Sequence, residues 1–155
     1  MMATRFTNLR LPQQPESPAE LLVEEGRFVS GFSPDAAPVT VDLGGHLVLP
    51  GLIETHIHLD KACIMDRCQL SEGTLEEAVA STSQAKAEFT EADVYQRGAK
   101  ILEQAITQGT THMRTHVELD PGIGLTGFRA IQRLQRDYAW AIGLELCVFP
   151  QEGLL

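Results

Sequence analysis

The fold is decided by the stretch Val48-Leu-Pro-Gly-Leu-Ile-Glu-Thr-His-Ile-His-Leu-Asp-Lys61, an apolar run that ends in two histidines, a carboxylate and an amine. Successive side chains of an extended strand point to opposite faces, so we expect His56, His58 and Asp60 to share one face. Neutral imidazole is the commonest protein ligand of zinc and iron, and a catalytic site uses about three protein ligands with one open position. The pair predicts part of a metal site, although such pairs also occur on solvated surfaces.

The residues that precede the pair favour the metal site over a solvated surface. Residues 47–53 are apolar enough for a buried strand, interrupted only by Pro50-Gly51, and the polar residues follow at its carboxyl end. Parallel α/β barrels keep their active sites at the carboxyl ends of their strands. We therefore predict an α/β fold with His56 and His58 at the active-site end of a strand.

Three stretches carry a family resemblance. Residues 49–60, Leu-Pro-Gly-Leu-Ile-Glu-Thr-His-Ile-His-Leu-Asp, resemble the first barrel strand of the metal-dependent amidohydrolase superfamily. Arg114-Thr-His-Val117 and Val148-Phe-Pro-Gln-Glu-Gly153 follow at the spacing of its cytosine deaminase group. The resemblance covers residues 21–155. It implies the amino-terminal part of a (β/α)8 TIM-type barrel, about three β/α units, preceded by strands of a small β-sandwich.

Short strands are predicted in the first third of the chain. Residues 21–32 form two strands around a turn at Glu25-Gly26, and residues 39–43 form another. The polar, proline-containing residues 1–19 predict a strand fragment followed by a loose excursion. We assign residues 1–49 to a β-strand segment of a composite β-sandwich. Residues 50–155 then form the first part of the hydrolase barrel, which is truncated in this sequence.

Three helices are predicted after the His-x-His strand. The first, residues 74–89, lies over the barrel mouth or along its flank and exposes its charges on a solvated face. The second starts at the capping-box-like Thr90-Glu-Ala-Asp93 and ends before Gly109. The third has the apolar stripe Leu125, Phe128, Ile131, Leu134 and Tyr138.

Two further strands complete the β-α-β-α-β order. Residues 111–119 alternate, with His112, Arg114, His116 and Glu118 on the polar face. The strand at residues 142–149 ends at Pro150, so Gln151 and Glu152 follow its carboxyl end. Right-handed crossovers make the three strands parallel and adjacent.

The resemblance also suggests roles for individual residues. Gln151 would bind the substrate through its side-chain amide, whose one acceptor and two donors suit the mixed edge of a pyrimidine. His116 would take a second-shell or substrate-side role and is not expected to bind the metal. Asp60 either accepts a hydrogen bond from a ligand histidine or organises Lys61, with an exposed salt bridge as the alternative. His46 and His112 are expected to be structural or exposed.

Composition excludes several classes of protein. The 155 residues are 43% hydrophobic, which indicates a globular chain. With 12 Lys and Arg against 21 Asp and Glu, the formal charge is -9, so nucleic acid would be repelled. No stretch reaches the roughly 18 apolar residues of a membrane span, so we expect no membrane partner and a cytoplasmic location. The three cysteines, Cys63, Cys68 and Cys147, are odd in number and favour reduced thiols.

The function implied by the resemblance is metal-assisted hydrolysis. One divalent ion, zinc or iron(II), held by His56 and His58, would lower the pKa of its water to about 7, and the resulting hydroxide would attack a pyrimidine-like cyclic amidine and expel ammonia. Lys61 departs from cytosine-specific members, so a cyclic or N-substituted amide such as a triazine or hydantoin is an alternative substrate. A non-catalytic α/β module that binds a metal or a partner is the other alternative.

The resemblance also indicates what lies outside this sequence. The family's remaining ligands and its proton-transferring residues lie on later strands, so we expect no catalytic residue in this chain and no deaminase activity from it alone. A complete barrel needs roughly 250 residues, and unpaired sheet edges favour association. For the full-length protein we expect a homo-oligomer.

Overall fold

The computed structural model describes residues 2–68, 71–151 and 153. The chain divides into two compact units, Met1–Pro50 and Gly51–Leu155. Glu152, which we expected at a strand end, lies outside the described residues. Within the described ranges, no helix has the length and apolar character needed to cross a bilayer.

The first unit is a four-stranded sheet. Its strands are β1 (Ala3–Leu11), β2 (Gln14–Glu24), β3 (Arg27–Val29) and β4 (Val39–Asp42), in the order β3-β2-β1-β4. β2 is antiparallel to both β1 and β3, whereas β4 runs parallel to β1. The predicted turn at Glu25-Gly26 is confirmed, with positive φ at both residues.

The predicted loose excursion before residue 19 is wrong, because this segment belongs to a β1–β2 hairpin. The pairing passes from Leu11–Gln14 directly to Leu9–Ala19. Pro15 and Pro18 therefore fall in an irregular part of the ladder, where a residue without an N–H interrupts no regular pairing. The prolines suggested a loop, but they occupy a bulge within the second strand.

The second unit is a three-stranded parallel sheet flanked by helices. β5 (Leu52–Ile57), β6 (Thr110–Glu118) and β7 (Gly143–Phe149) are adjacent and parallel in that order, as predicted. The helices α1 (Leu75–Lys86) and α2 (Glu91–Thr107) connect β5 to β6, and α3 (Thr126–Asp137) connects β6 to β7. Two short 3-10 helices, Leu59–Lys61 and Met65–Arg67, follow β5.

The core of this unit lies between one face of the sheet and the helices. Met113, Thr115 and Val117 on β6 are at most 2% exposed, which confirms the predicted alternation of that strand. Met113 and Val117 belong to the same buried cluster as fully buried residues of α2 and α3, namely Val94, Leu102, Ile131 and Leu134. The period of about 3.6 residues read from the sequence of α2 and α3 therefore identified the packing face.

The start of β5 departs from the prediction of a buried strand over residues 47–53. The strand begins at Leu52, and the side chains of Leu52 and Ile53 are 54% and 68% exposed. Apolar sequence indicated burial, but these two neighbouring side chains, which point to opposite faces of the strand, are both exposed. The apolar character of this segment therefore did not predict its burial.

Gly51 lies where β5 comes very close to β6. A Cβ at this position would lie 2.2 Å from Thr111 Cγ2 and 2.8 Å from Thr111 Cβ. These distances are too short for any real contact, so the packing requires a glycine at position 51. Gly51 thus lets the strand that carries the histidines begin beside β6.

The predicted start of α2 is partly confirmed. Thr90 Oγ1 accepts a hydrogen bond from the Asp93 N–H at 3.2 Å. The Asp93 carboxylate, however, pairs with Arg67 at 2.6 Å and with Arg97 at 3.0 Å. It is therefore used to join the second 3-10 helix to α2, and not to cap the helix.

Candidate metal and substrate site

Three histidines meet at the carboxyl end of the parallel sheet. The rings of His56 and His116 stack with centroids 4.2 Å apart, and the ring of His58 lies 5.5 Å and 5.6 Å from them. Phe149 packs edge-on against His58 at 5.2 Å. Because β5, β6 and β7 are parallel, residues distant in sequence converge at one edge, and the structure brings together the three histidines that the sequence placed at or near the site, His56, His58 and His116.

The environment of His58 keeps its imidazole in the neutral form. Burial lowers the pKa of His58 to about 4, and the nearby Lys61, His116 and His56 act in the same direction. The Nδ1 atoms of His58 and His116 are buried and have no hydrogen-bond partner among the described residues. A neutral imidazole with an unpartnered nitrogen is the form that binds a metal.

Asp60 is buried, with 3% of its surface exposed, so the alternative of an exposed salt bridge is wrong. Its Oδ2 accepts a hydrogen bond of 2.8 Å from the backbone N–H of Glu118. Burial raises the pKa of Asp60, while the Glu118 N–H opposes that rise. The carboxylate therefore ties the turn after β5 to the end of β6.

The Lys61 side chain extends from the first 3-10 helix to the ends of the neighbouring strands. Its Nζ lies 2.6 Å from Glu118 Oε2 and donates a hydrogen bond of 2.8 Å to Gln151 Oε1. The same Nζ sits 5.5 Å from the centre of the Phe149 ring. Lys61 thus connects the ends of β5, β6 and β7, and it brings Gln151 to the site.

The prediction that all charges of the first helix lie on a solvated face is wrong for Lys86. This side chain is 7% exposed, and its Nζ contacts Glu118 Oε1 at 2.7 Å and Asp120 Oδ2 at 3.0 Å. Burial alone would raise the pKa of Asp120, but hydrogen bonds from the Ile123 N–H and from Lys86 lower it to about 2. The signal was present in the sequence, because Lys86 follows Val79 and Thr82 at helical spacing.

Arg97 on α2 was also missed by sequence reasoning. It is 8% exposed and donates hydrogen bonds to the carbonyl oxygens of Asp60 at 3.0 Å and Ala62 at 2.6 Å. These bonds hold the backbone turn that follows His58. The sequence signal was its position three residues after Val94 and four before Ile101, on the apolar face of the helix.

A cavity of about 360 Å³ opens beside this cluster. His58, Lys61 and Gln151 line it on the side of the strand ends. The rest of its lining comes from α1 and from the segment before it, namely Leu75, Ala78, Val79 and Thr82 together with Ile64, Met65 and Cys68. The first helix therefore lies over the strand ends, one of the two positions predicted for it.

The cysteines agree with the expectation of reduced thiols. Cys63, Cys68 and Cys147 are free, and Cys63 is exposed. The two histidines outside the cluster, His46 and His112, are both exposed. Of these residues, Cys68 lines the cavity together with His58.

The residues present fit part of a divalent metal site. His56 and His58 offer two imidazoles, and the unpartnered Nδ1 of His58 suits a ligand. Across the described part of the chain, no group of three or more histidine, cysteine, aspartate or glutamate side chains forms a metal-binding arrangement. The donor set therefore fits two ligands of an ion that requires more.

A sequence model of the amidohydrolase family matches residues 39–145. The uncharacterized protein YahJ of Escherichia coli strain K12 is 27% identical to this chain in an alignment 152 residues long, which covers 86% of this chain and 30% of that protein. The residues that the family model matches run from β4 through the His-x-His strand, the three helices and β6 to the start of β7.

Two solved structures resemble the chain over most of its length. The 5-methylcytosine deaminase of Klebsiella pneumoniae, liganded with 5-fluorocytosine, is 30% identical with a TM-score of 0.83, over 97% of this chain and 37% of that one. The N-isopropylammelide isopropylaminohydrolase of Burkholderia multivorans is 23% identical with a TM-score of 0.82, over 100% of this chain and 39% of that one. The chain thus spans less than two fifths of the length of either structure. The predicted fold, the first part of a barrel, is confirmed.

Proposed function

Because the chain belongs to the amidohydrolase family, we propose that it contributes the first strands of a metal-dependent hydrolase that deaminates a pyrimidine-like cyclic amidine. The observation that carries this proposal is the convergence of His56, His58 and His116 at the carboxyl ends of parallel strands, next to a cavity that His58 and Gln151 line. That edge is where parallel barrels carry out their chemistry. Residues 1–49 would belong to a composite β-sandwich and residues 50–155 to the barrel.

His56 and His58 are the residues that would hold the ion, zinc or iron(II). Such an ion supplies a Lewis acid that makes water nucleophilic near neutral pH. His116 would support the site by stacking on His56, with their ring centroids 4.2 Å apart, and so limit the orientations of that ring. Asp60 would fix the backbone beside His58 through its bond to the Glu118 N–H.

The substrate would lie in the cavity between the strand ends and α1. Gln151 would contact one edge of its ring, while the apolar residues of α1 would exclude water from the opposite side. A flat heterocycle suits this combination of a few polar groups and an apolar wall. The expulsion of an amino group as ammonia would then require a proton donor, which we expect on strands outside this sequence.

A triazine is the second candidate substrate class. Lys61 departs from the sequence of cytosine-specific members. In addition, the two similar structures are named for different substrates, one for 5-methylcytosine and the other for N-isopropylammelide. A hydantoin or another N-substituted cyclic amide belongs to the same alternative. Cytoplasmic location and a homo-oligomeric full-length enzyme stay predictions.

We expect residues 1–155 alone to have no deaminase activity. The two proposed ligands, His56 and His58, are fewer than the about three that a catalytic metal site uses. Turnover of cytosine by this purified chain with added zinc or iron(II) would show that this expectation is wrong.

Metal binding tests the core of the proposal directly. Zinc and iron(II) would be titrated into the chain and into His56→Ala and His58→Ala variants, with binding measured by calorimetry. We expect each variant to bind at least about tenfold more weakly. The exposed His46 and His112 provide matched controls, and their alanine variants should bind as the unchanged chain does. Equal weakening by all four substitutions would contradict the proposed ligands.

Activity should be measured on the protein as it is produced in its source cells. The intact mass of that protein would be determined first, and the release of ammonia would then be followed with pyrimidines, triazines and hydantoins. Deamination of a pyrimidine supports the first candidate, and hydrolysis restricted to triazines or hydantoins supports the second. If the protein binds the metal but releases ammonia from none of these compounds, the proposed hydrolase activity would be overturned.

A further inference from the structure

The ring of Phe149 packs against two histidines of the candidate site. Phe149 ends β7, and its ring centroid lies 5.2 Å from that of His58 at an interplanar angle of 66°. The same ring lies 6.4 Å from the ring of His116 at an angle of 89°. Aromatic rings attract each other in such edge-on arrangements at separations of about 4.5 to 7 Å, beyond the effect of burial alone. The last residue of β7 therefore contacts histidines that belong to the ends of the two other strands.

Phe149 is itself held in place. Its backbone pairs with that of Glu118 in the register of β6 and β7, and its carbonyl oxygen accepts a hydrogen bond of 3.4 Å from the Leu119 N–H. The Lys61 ammonium lies over the ring at 5.5 Å from its centroid, within the range of a cation–π contact. Lys61 Nζ also lies 2.6 Å from Glu118 Oε2, and the Glu118 side chain is 1% exposed. Both the backbone and the ring of Phe149 are therefore fixed.

The orientation of the His58 ring depends on what packs against it. Strand β5 ends at Ile57, so His58 lies beyond the paired part of the strand. A metal-binding histidine is usually oriented by a hydrogen bond from its second ring nitrogen. In His58, Nδ1 is buried without a hydrogen-bond partner among the described residues, and the ring has a hydrogen bond with the backbone of His116. A single hydrogen bond fixes one point of a ring, so the direction of the ring is left to its packing.

We propose that Phe149 is a positioning residue that fixes the orientation of the His58 ring and so prepares this histidine to bind the metal ion. Phe149 acts through His58, because a phenyl ring has no atom that could be a ligand of zinc or iron. The alternative is a side chain that only fills space at the end of β7. The inference rests on the proposed function, since it takes His58 to be a metal ligand.

Zinc affinity tests the inference through a substitution that removes the ring. Phe149→Leu keeps an apolar side chain at the end of β7 but removes the edge-on contact, so we expect zinc to bind about five- to tenfold more weakly. Phe149→Tyr keeps the ring and should bind zinc within about twofold of the unchanged chain. Binding would be measured by calorimetry. Equal affinity of the unchanged chain and Phe149→Leu, or equal weakening in Phe149→Leu and Phe149→Tyr, would overturn the inference.

Phe128→Leu on α3 is the matched control. Phe128 is partly buried, like Phe149, and packs against the core of the second unit. The same substitution there removes a ring from the interior without removing the contact to His58. We expect lower stability in thermal unfolding but a zinc affinity within about twofold of that of the unchanged chain. Equal weakening of zinc binding by Phe128→Leu and Phe149→Leu would show a general effect of packing, and the inference would be wrong.

A measurement without metal separates the inference from the proposed function. Three-bond NMR couplings between the His58 Cγ and its backbone N and carbonyl carbon report the χ1 rotamers that the side chain populates. We expect one dominant rotamer in the unchanged chain and in Phe149→Tyr, and an average over several rotamers in Phe149→Leu. A single rotamer in Phe149→Leu would contradict the inference.

The same couplings decide the remaining outcomes. Averaged couplings in the unchanged chain would overturn the inference even if Phe149→Leu does not fold. If the unchanged chain binds neither zinc nor iron(II), the proposed metal site is wrong. The couplings alone then decide whether Phe149 orients His58.

Discussion

Lys86 and Glu118 form a buried ion pair in which Nζ lies 2.7 Å from Oε1, with side-chain exposures of 7% and 1%. Lys86 ends α1 and Glu118 ends β6. The pair therefore fastens the helix that covers the cavity to the strand that carries His116. Breaking a buried pair from one side leaves a charge without compensation, which costs far more than breaking an exposed pair.

Lys86→Met should destabilise the second unit by about 3 kcal/mol, since Glu118 and Asp120 would lose a buried donor. Unfolding in urea would measure the loss, and hydrogen exchange should increase within α1. Lys100→Met removes an exposed lysine and should change stability by less than about 0.5 kcal/mol. Equal effects of the two substitutions would contradict the importance of the buried pair.

Arg97→Met should loosen the turn that follows His58. The Arg97 guanidinium donates to the carbonyl oxygens of Asp60 and Ala62, and both bonds would be lost. We expect a destabilisation of about 3 kcal/mol and faster hydrogen exchange over residues 59–64. Arg129→Met is the control, because this side chain is 63% exposed and its contact to Glu91 is 3.6 Å long. Unchanged exchange over residues 59–64 in Arg97→Met would rule out this role.

Protonation of Asp93 should make the second unit less stable in acid. Its hydrogen bond from Arg67 and, next, the contacts from Arg97 hold the pKa of Asp93 at about 2, below its ordinary 3.8. The unfolded chain therefore takes up the proton first, so this stabilisation is present above pH 4 and is lost as the pH falls from about 4 to 2. Because Asp93 is 23% exposed, we expect a contribution of about 1 kcal/mol.

The acid sensitivity can be assigned with a neutral variant. Asp93→Asn should be less stable than the unchanged chain at pH 7 and should approach it at pH 2. Thermal unfolding measured between pH 2 and pH 7 would give both curves. Glu72 has an exposed carboxyl in the loop before α1, so Glu72→Gln should not alter the difference in stability between pH 7 and pH 2. Parallel curves for the unchanged chain and Asp93→Asn would refute the assignment.

Gly51→Ala should destabilise the start of β5. Its Cβ would lie 2.2 Å from Thr111 Cγ2, so one strand would have to move, at a cost of about 2 kcal/mol. The double variant Gly51→Ala with Thr111→Gly removes the overlap and should recover part of the loss. Gly31→Ala is the control, because nothing lies within 4 Å of a Cβ there. Thermal unfolding compares the three, and no recovery in the double variant would show that the overlap is not the cause.

The sequence predicted the parallel β5, β6 and β7 because each strand has its own local signal. The alternation of β6, the periodicity of α2 and α3, and the turn at Glu25-Gly26 all depend on neighbouring residues. The predictions that were wrong concern the burial and the strand pairing of individual residues, which depend on parts of the chain distant in sequence. Leu52 and Ile53 are apolar but exposed, and Pro15 and Pro18 lie in a strand.

By itself the sequence determined the order of the second unit's elements, the family, and the location of His56, His58 and Gln151 at strand ends. Periodicity, turn residues and strand direction are local properties, and they suffice for these results. Only the tertiary structure decided that Lys86 and Arg97 are buried, and that Lys61 binds the oxygen of Gln151. These contacts join residues up to 90 positions apart. They depend on how the parallel strands align, which no local pattern specifies.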